Sequence, residues 1–152
     1  MVILLFGQPA SGKTTLAQAF IDDTTNVFCF GQSRFVHIDG DKWREISQNK
    51  DYSREGRIRN LSGAFDMALY LEKEGFIPVL SFVAPYREVR NYLKSRAEKL
   101  HMIYLTYTGE RGRTSYFAKD FEHPTADESY MTLDTSVLTI KECVLKITAY
   151  VR

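Results

Sequence analysis

The chain has 152 residues with 20 Lys and Arg against 19 Asp and Glu, a formal net charge of +1, and so carries no whole-chain electrostatic footprint for nucleic acid or a membrane surface. At 44% hydrophobic it suits one domain around a real core, with no second domain expected. The opening apolar run stops after six residues without a basic flank, so neither a signal peptide nor a membrane span is expected, and Cys29 and Cys143, far apart and without metal-ligand spacing, read as reduced buried thiols of a cytoplasmic protein, with a disulfide as the alternative.

Residues 2–6 are predicted as a buried strand, and they feed directly into Gly7-Gln8-Pro9-Ala10-Ser11-Gly12-Lys13-Thr14-Thr15. This is a G-x-x-x-x-G-K-T phosphate loop. Its two glycines permit a tight backbone whose N–H groups ring a phosphate, Lys13 reaches the β and γ oxygens, and Thr14 offers a hydroxyl to Mg²⁺. A helix opens at Lys13, with Leu16, Ala17, Phe20 and Ile21 as its apolar stripe and an N-terminal dipole that favours anions.

A second strand over 35–39 delivers Asp39-Gly40-Asp41 to the same edge. One carboxylate of such a pair suits Mg²⁺ or its waters; the other suits the proton of an attacking hydroxyl. An Asp-Gly turn capping the next helix is the structural alternative, and the two uses are compatible. Helices are predicted over 42–48 and 55–73. Arg44 lies three residues beyond Asp41, while Arg57 and Asn60 flank the N-terminal end of the apolar stripe Ile58, Leu61, Ala64, Phe65 and Ala68. An arginine there either extends past the core or holds an anion.

Gly75 ends the long helix, and a strand over 76–84 follows. A helix over 86–100 then precedes a strand over 101–106. The polar stretch 108–129, bracketed by Gly109, Gly112 and Pro124, reads as a mobile lid loop. A strand over 130–133 and a final helix near Thr139, with Glu142 completing a capping box, close the pattern. Five strands alternating with helices predict an α/β fold: a five-stranded parallel sheet flanked by helices on both faces, with ligands beyond the carboxyl ends of the strands. His37 and His101 read as packing histidines. Trp43 and Tyr52 are each either ligand-stacking or ordinary aromatics.

Together these segments resemble an adenylyl-sulfate kinase, a P-loop kinase family. The family's L-D-G-D-x-x-R is matched by Ile38-Asp39-Gly40-Asp41-Lys42-Trp43-Arg44, and its F-s-x-x-x-R-x-x-N by Tyr52-Ser53-Arg54-Glu55-Gly56-Arg57-Ile58-Arg59-Asn60. Its S-P-[FY]-R is matched by Ala84-Pro85-Tyr86-Arg87, and its closing strand and helix by Leu133-Asp134-Thr135 through Val144. The resemblance implies that ATP and Mg²⁺ are held by the phosphate loop with Thr14 and Asp39. It implies an acceptor nucleotide among Asp41, Arg44, Tyr52, Arg57, Asn60, Pro85 and Tyr86, with Tyr52 and Phe121 stacking on its base and Asp41 orienting or deprotonating its hydroxyl. The implied reaction is transfer of the γ-phosphoryl group to a hydroxyl, a ribose 3'-OH, of a nucleotide derivative such as adenylyl sulfate.

Two departures stand beside the match. Ser62-Gly63 occupies the place of the family's R-R pair, and 109–119 replaces its K-G-L-Y-K-K-A-R lid while supplying Arg111, Arg113 and Lys119 as candidates to close over the phosphates. Other acceptors therefore stay open: cytidine diphosphoramidate, a non-nucleotide alcohol, or none, in a nucleotide-binding regulator. A homodimer stays open as well.

Overall fold

The computed structural model describes residues 1–27, 34–109 and 117–152. Five parallel strands, β1 (Val2–Phe6), β2 (Phe35–Asp39), β3 (Ile77–Phe82), β4 (Leu100–Thr106) and β5 (Tyr130–Asp134), lie in the order β2-β3-β1-β4-β5. The helices are α1 (Lys13–Val27), α2 (Gly40–Ile46), α3 (Arg54–Lys73), α4 (Arg87–Lys94) and α5 (Ile140–Val151).

β1 is apolar at all five positions because both of its faces are covered. Val2, Leu4 and Phe6 point into one core with Leu61, Phe65 and Leu93 from α3 and α4. Ile3 and Leu5 point into the other with Leu16, Phe20, Cys143 and Ile147 from α1 and α5. The expected parallel sheet with helices on both faces is present. Cys143 is a buried free thiol, while Cys29 lies outside the described residues.

Several boundaries differ from the sequence reading, and three of the shifts have a clear local reason. The helix expected from residue 42 begins at Gly40, because Asp39 Oδ1 accepts the amides of Asp41 (3.1 Å) and Lys42 (3.2 Å) and caps it. The helix expected over 86–100 stops at Lys94. Beyond it, the buried Glu72 carboxylate takes the amides of Glu98 and Lys99 and draws the chain into β4. The strand expected to run to residue 84 ends at Phe82, and Ala84 turns the chain with φ of +41°.

The larger correction concerns the stretch 108–129, expected to be a mobile lid throughout. Its second half, from residue 117, is fastened to the body. Ala118, Pro124 and Glu128 are buried, and a short 3-10 helix spans Ala126–Glu128. Arg90 of α4, with 0% exposure, clamps it. Its Nε and Nη2 donate to Glu128 Oε2 (2.7 Å) and Oε1 (3.0 Å), Nη2 also to Glu122 O (3.0 Å), and Nη1 to Ala84 O (2.9 Å). A buried ion pair with every partner in place fixes backbone that composition alone marks as loop.

Candidate functional site

A cavity of about 520 Å³ opens at the carboxyl edge of the sheet, between the phosphate loop on one side and α2 and α3 on the other. Pro9, Ala10, Gly12, Lys13, Thr14 and Thr15 line the first wall; Asp39, Gly40, Asp41, Arg44, Tyr52, Arg57 and Asn60 line the second; Ser81 to Pro85 form the floor.

The loop wall needs its glycine. Gly7 has φ of +145°, and a Cβ there would lie 2.3 Å from Leu105 O, so the loop root passes flush against β4. Lys13 is buried (8% exposed), with Nζ donating to Gln8 O (2.7 Å) and Ser11 Oγ (3.3 Å). Those neutral acceptors hold the ammonium across the mouth of the loop, where a phosphate would sit. Gln8 points its side chain away from this cavity and pairs with Ala118 in both directions, at 3.0 and 3.1 Å. Gln8 and Ser11 line a smaller cavity of about 250 Å³ with Tyr104 and His123.

Across from the loop, Thr14 Oγ1 donates to Asp39 Oδ2 (2.7 Å). Ser81 Oγ donates to the same oxygen (2.9 Å), so the nearly buried Asp39 carboxylate accepts two hydroxyls as well as two amides. Burial pushes its pKa up, but the bonds from Thr14, the Lys42 amide and Ser81 outweigh that and hold it below the usual carboxylate range. Asp39 is thus a fixed anion, whereas Asp41 is exposed at the cavity wall. A Thr hydroxyl beside an ionised carboxylate is a hard-oxygen pair that fits Mg²⁺ bound chiefly through phosphates and water. Among the described residues no group of three or more His, Cys, Asp or Glu forms a protein cage for a metal, and Mg²⁺ in a kinase site needs none.

On the second wall, Arg57 Nε donates to Tyr52 O (3.0 Å), and its guanidinium lies 5.6 Å from the Tyr52 ring centre. Asn60 is buried. Its Oδ1 accepts from Ser47 Oγ (3.1 Å), which leaves its NH₂ group and one carbonyl lone pair for a ligand. Trp43 is a half-buried core aromatic, tied by Nε1 to Asn60 O (3.0 Å).

Several expected contacts fall elsewhere. Arg44 borders the cavity, yet its Nη1 staples the 47–51 turn through Asn49 O and Asp51 O (3.0 Å each), and its guanidinium covers the Tyr52 ring at 4.3 Å. Tyr52 can stack on a base only on a ring surface the arginines leave open. Pro85 lines the cavity, but Tyr86, expected as a substrate contact, does not. It is 1% exposed beneath the Arg54 guanidinium (4.0 Å), its hydroxyl pushed up to about 12 by burial and by the bond to Asp120. The turn at Ala84 sends Pro85 to the cavity and Tyr86 into the core. Phe121 is likewise absent from the cavity lining, its ring stacked on Tyr104 at 6.0 Å. Arg111 and Arg113 lie outside the described residues.

Sequence reasoning missed Ser81 and treated His37 as packing. His37 Nε2 lies 2.9 Å from Ser81 Oγ. A signal was present: both are polar residues within apolar strands, and His37 stands two positions before Asp39, on the same strand face.

No helix among the described residues is long and apolar enough to cross a membrane. Residues 1–114 match the family model described as adenylylsulphate kinase. A cytidine diphosphoramidate kinase from Campylobacter jejuni is 27% identical over 104 residues, 68% of this chain and 59% of that protein. A probable adenylyl-sulfate kinase from Aeropyrum pernix is 34% identical over 100 residues, 65% of this chain and 52% of that one, so the match spans between half and two thirds of these relatives. The Mycobacterium tuberculosis APS kinase, solved in complex with AMPPNP and APS, shares the fold with a TM-score of 0.81 at 15% identity, covering 99% of this chain and 96% of that one. With the phosphate loop, the paired aspartates and the α3 motif all within the matched residues, this chain belongs to the adenylyl-sulfate kinase family.

Proposed function

We propose that this chain is a Mg²⁺- and ATP-dependent phosphotransferase that moves the γ-phosphoryl group to a hydroxyl of an anionic, nucleotide-type acceptor. The observation that carries this reading is a single cavity with a phosphate loop on one wall and Asp41, Arg57 and Asn60 on the other. A protein that only bound nucleotide would have no need of the second wall. Lys13, the loop amides and the α1 N-terminus hold the donor phosphates; Arg57 and Asn60 hold the acceptor anion; Asp41 takes the proton of the attacking hydroxyl. When bound, Mg²⁺ neutralises charge on the β and γ oxygens, with Thr14 and Asp39 as its protein neighbours. Rate comes from alignment and charge compensation more than from covalent chemistry.

Asp41 is assigned as the base because Asp39 already accepts four hydrogen bonds and is held ionised by them. Asp41→Asn is expected to bind ATP normally and to lose transfer by about 10²- to 10⁴-fold. A near-normal rate would move the role to Asp39. The leading acceptor is an adenylyl sulfate-type compound with a free ribose 3'-OH. An ADP-release assay across adenylyl sulfate, cytidine diphosphate derivatives and simple alcohols tests it. Turnover of simple alcohols equal to that of nucleotides would remove the nucleotide acceptor, and inactivity on every acceptor despite ATP binding would leave a regulator.

A further inference from the structure

We infer that His37 and Ser81 are positioning residues, forming a two-member relay that sets the orientation of the Asp39 carboxylate toward the metal position; the inference rests on the reading that Thr14 and Asp39 border Mg²⁺.

Strand register makes the relay. Asp39 of β2 pairs with Ser81 of β3, so their side chains stand directly opposite each other on one sheet face. His37, two residues before Asp39, lies on that same face, diagonal to Ser81. The direction of each bond follows from the donor inventory. Ionised Asp39 can only accept, so the one Ser81 hydroxyl proton points to Asp39 Oδ2 (2.9 Å). The Ser81 oxygen must then accept across the 2.9 Å contact from His37, which fixes the imidazole as the tautomer protonated on Nε2.

Asp39 Oδ2 therefore receives two hydroxyls from opposite sides: Thr14 from the phosphate loop and Ser81 from the sheet. The amides of Asp41 and Lys42 hold Oδ1. Without the Ser81 bond, Oδ2 would be anchored only by Thr14, the residue whose oxygen a cation would share. The carboxylate could then follow the Thr14 rotamer instead of fixing it. His37 supplies the remaining constraint, because a Ser81 hydroxyl without a donor behind it is free to rotate away. Ser81 is 3% exposed, so water does not readily replace that donor. Outer-shell partners of this kind typically change metal affinity by about 10- to 100-fold when removed.

The test is calorimetric titration of ADP with and without Mg²⁺, on the wild-type chain, Ser81→Ala, His37→Leu, the double variant and His37→Gln, whose amide N–H can stand in for Nε2–H. Metal-free ADP affinity is expected to be unchanged in all. The tightening of ADP by Mg²⁺ is expected to fall about 10-fold in Ser81→Ala and His37→Leu, no further in the double variant, and to return in His37→Gln. Equal loss of metal-free affinity, additive effects in the double variant, or no recovery in His37→Gln would each overturn the relay. Should His37→Leu unfold, Ser81→Ala and His37→Gln still decide it. A wild-type chain whose ADP affinity ignores Mg²⁺ would count against the kinase reading itself, and the relay would fall with it.

Discussion

Lys13→Ala is expected to lower kcat/KM for phosphoryl transfer by about 10³-fold, about 4 kcal/mol of transition-state stabilisation, while the thermal midpoint stays within a few degrees of wild type. The size follows from where the ammonium is held. Nζ sits against Gln8 O and Ser11 Oγ, buried and aimed across the loop, so little reorganisation is needed when charge develops on the transferring group. The small stability effect follows from the same geometry. Removing a mostly buried cation takes away its desolvation penalty along with its bonds to Gln8 O and Ser11 Oγ. Steady-state ADP release with unfolding monitored in parallel checks both halves. Activity within about tenfold of wild type would show that the loop does not hold the donor phosphates as proposed.

The second large effect is structural. Arg90→Ala and Glu128→Gln are each expected to destabilise the chain by about 3–5 kcal/mol, a fall of about 10 °C in Tm. Both side chains are essentially inaccessible, 0% and 1% exposed, and removing either partner leaves the other buried without compensation. Arg90 also holds the carbonyl of Ala84, the turn that aims Pro85 at the cavity, so surviving enzyme is expected to show weakened acceptor use before weakened ATP binding. The pH dependence has a definite sign. Burial raises the Glu128 pKa, but the bond and charge of Arg90 outweigh it and the folded value lies below the ordinary one. The pair's stabilisation is therefore fully present above the unfolded carboxylate pKa and is lost as pH falls through the depressed folded value. Urea unfolding followed from about pH 5 down to about pH 2 is expected to show a smaller acid-linked loss in Glu128→Gln than in wild type. An equal loss in both would place the acid sensitivity in other carboxylates.

Much of the donor side was legible along the chain because its parts are contiguous. The phosphate loop follows β1 and opens α1 within a dozen residues, and the function of Gly7, Lys13 and Thr14 depends on backbone that they themselves shape. Asp39 and Asp41 were legible for a similar reason, one glycine apart at the end of a strand. Arg44 was misjudged because of a turn within eight residues of it, whereas Tyr86 and Phe121 depend on partners distant in sequence. Tyr86 follows Pro85 in a motif, but whether it faces the cavity or the core is settled by Arg54 and Asp120, which come from α3 and from the segment after residue 117. Phe121 was carried over by motif, and a stack on Tyr104 of β4 takes its ring.

The sequence by itself determined the layered α/β plan, the phosphate loop and the edge of the sheet where ligands gather, since hydrophobic period and glycine placement act over a few residues. Only the tertiary structure decided which charged groups are free for a ligand and which are spent on the fold. Arg44 staples a turn, Arg90 fastens what reads as a loose loop, and Asp39 is locked by two hydroxyls and two amides. The physical reason is that a buried charge takes its character from the donors and acceptors around it, and for Asp39 and Arg90 several of those come from strands, helices and loops tens of residues away.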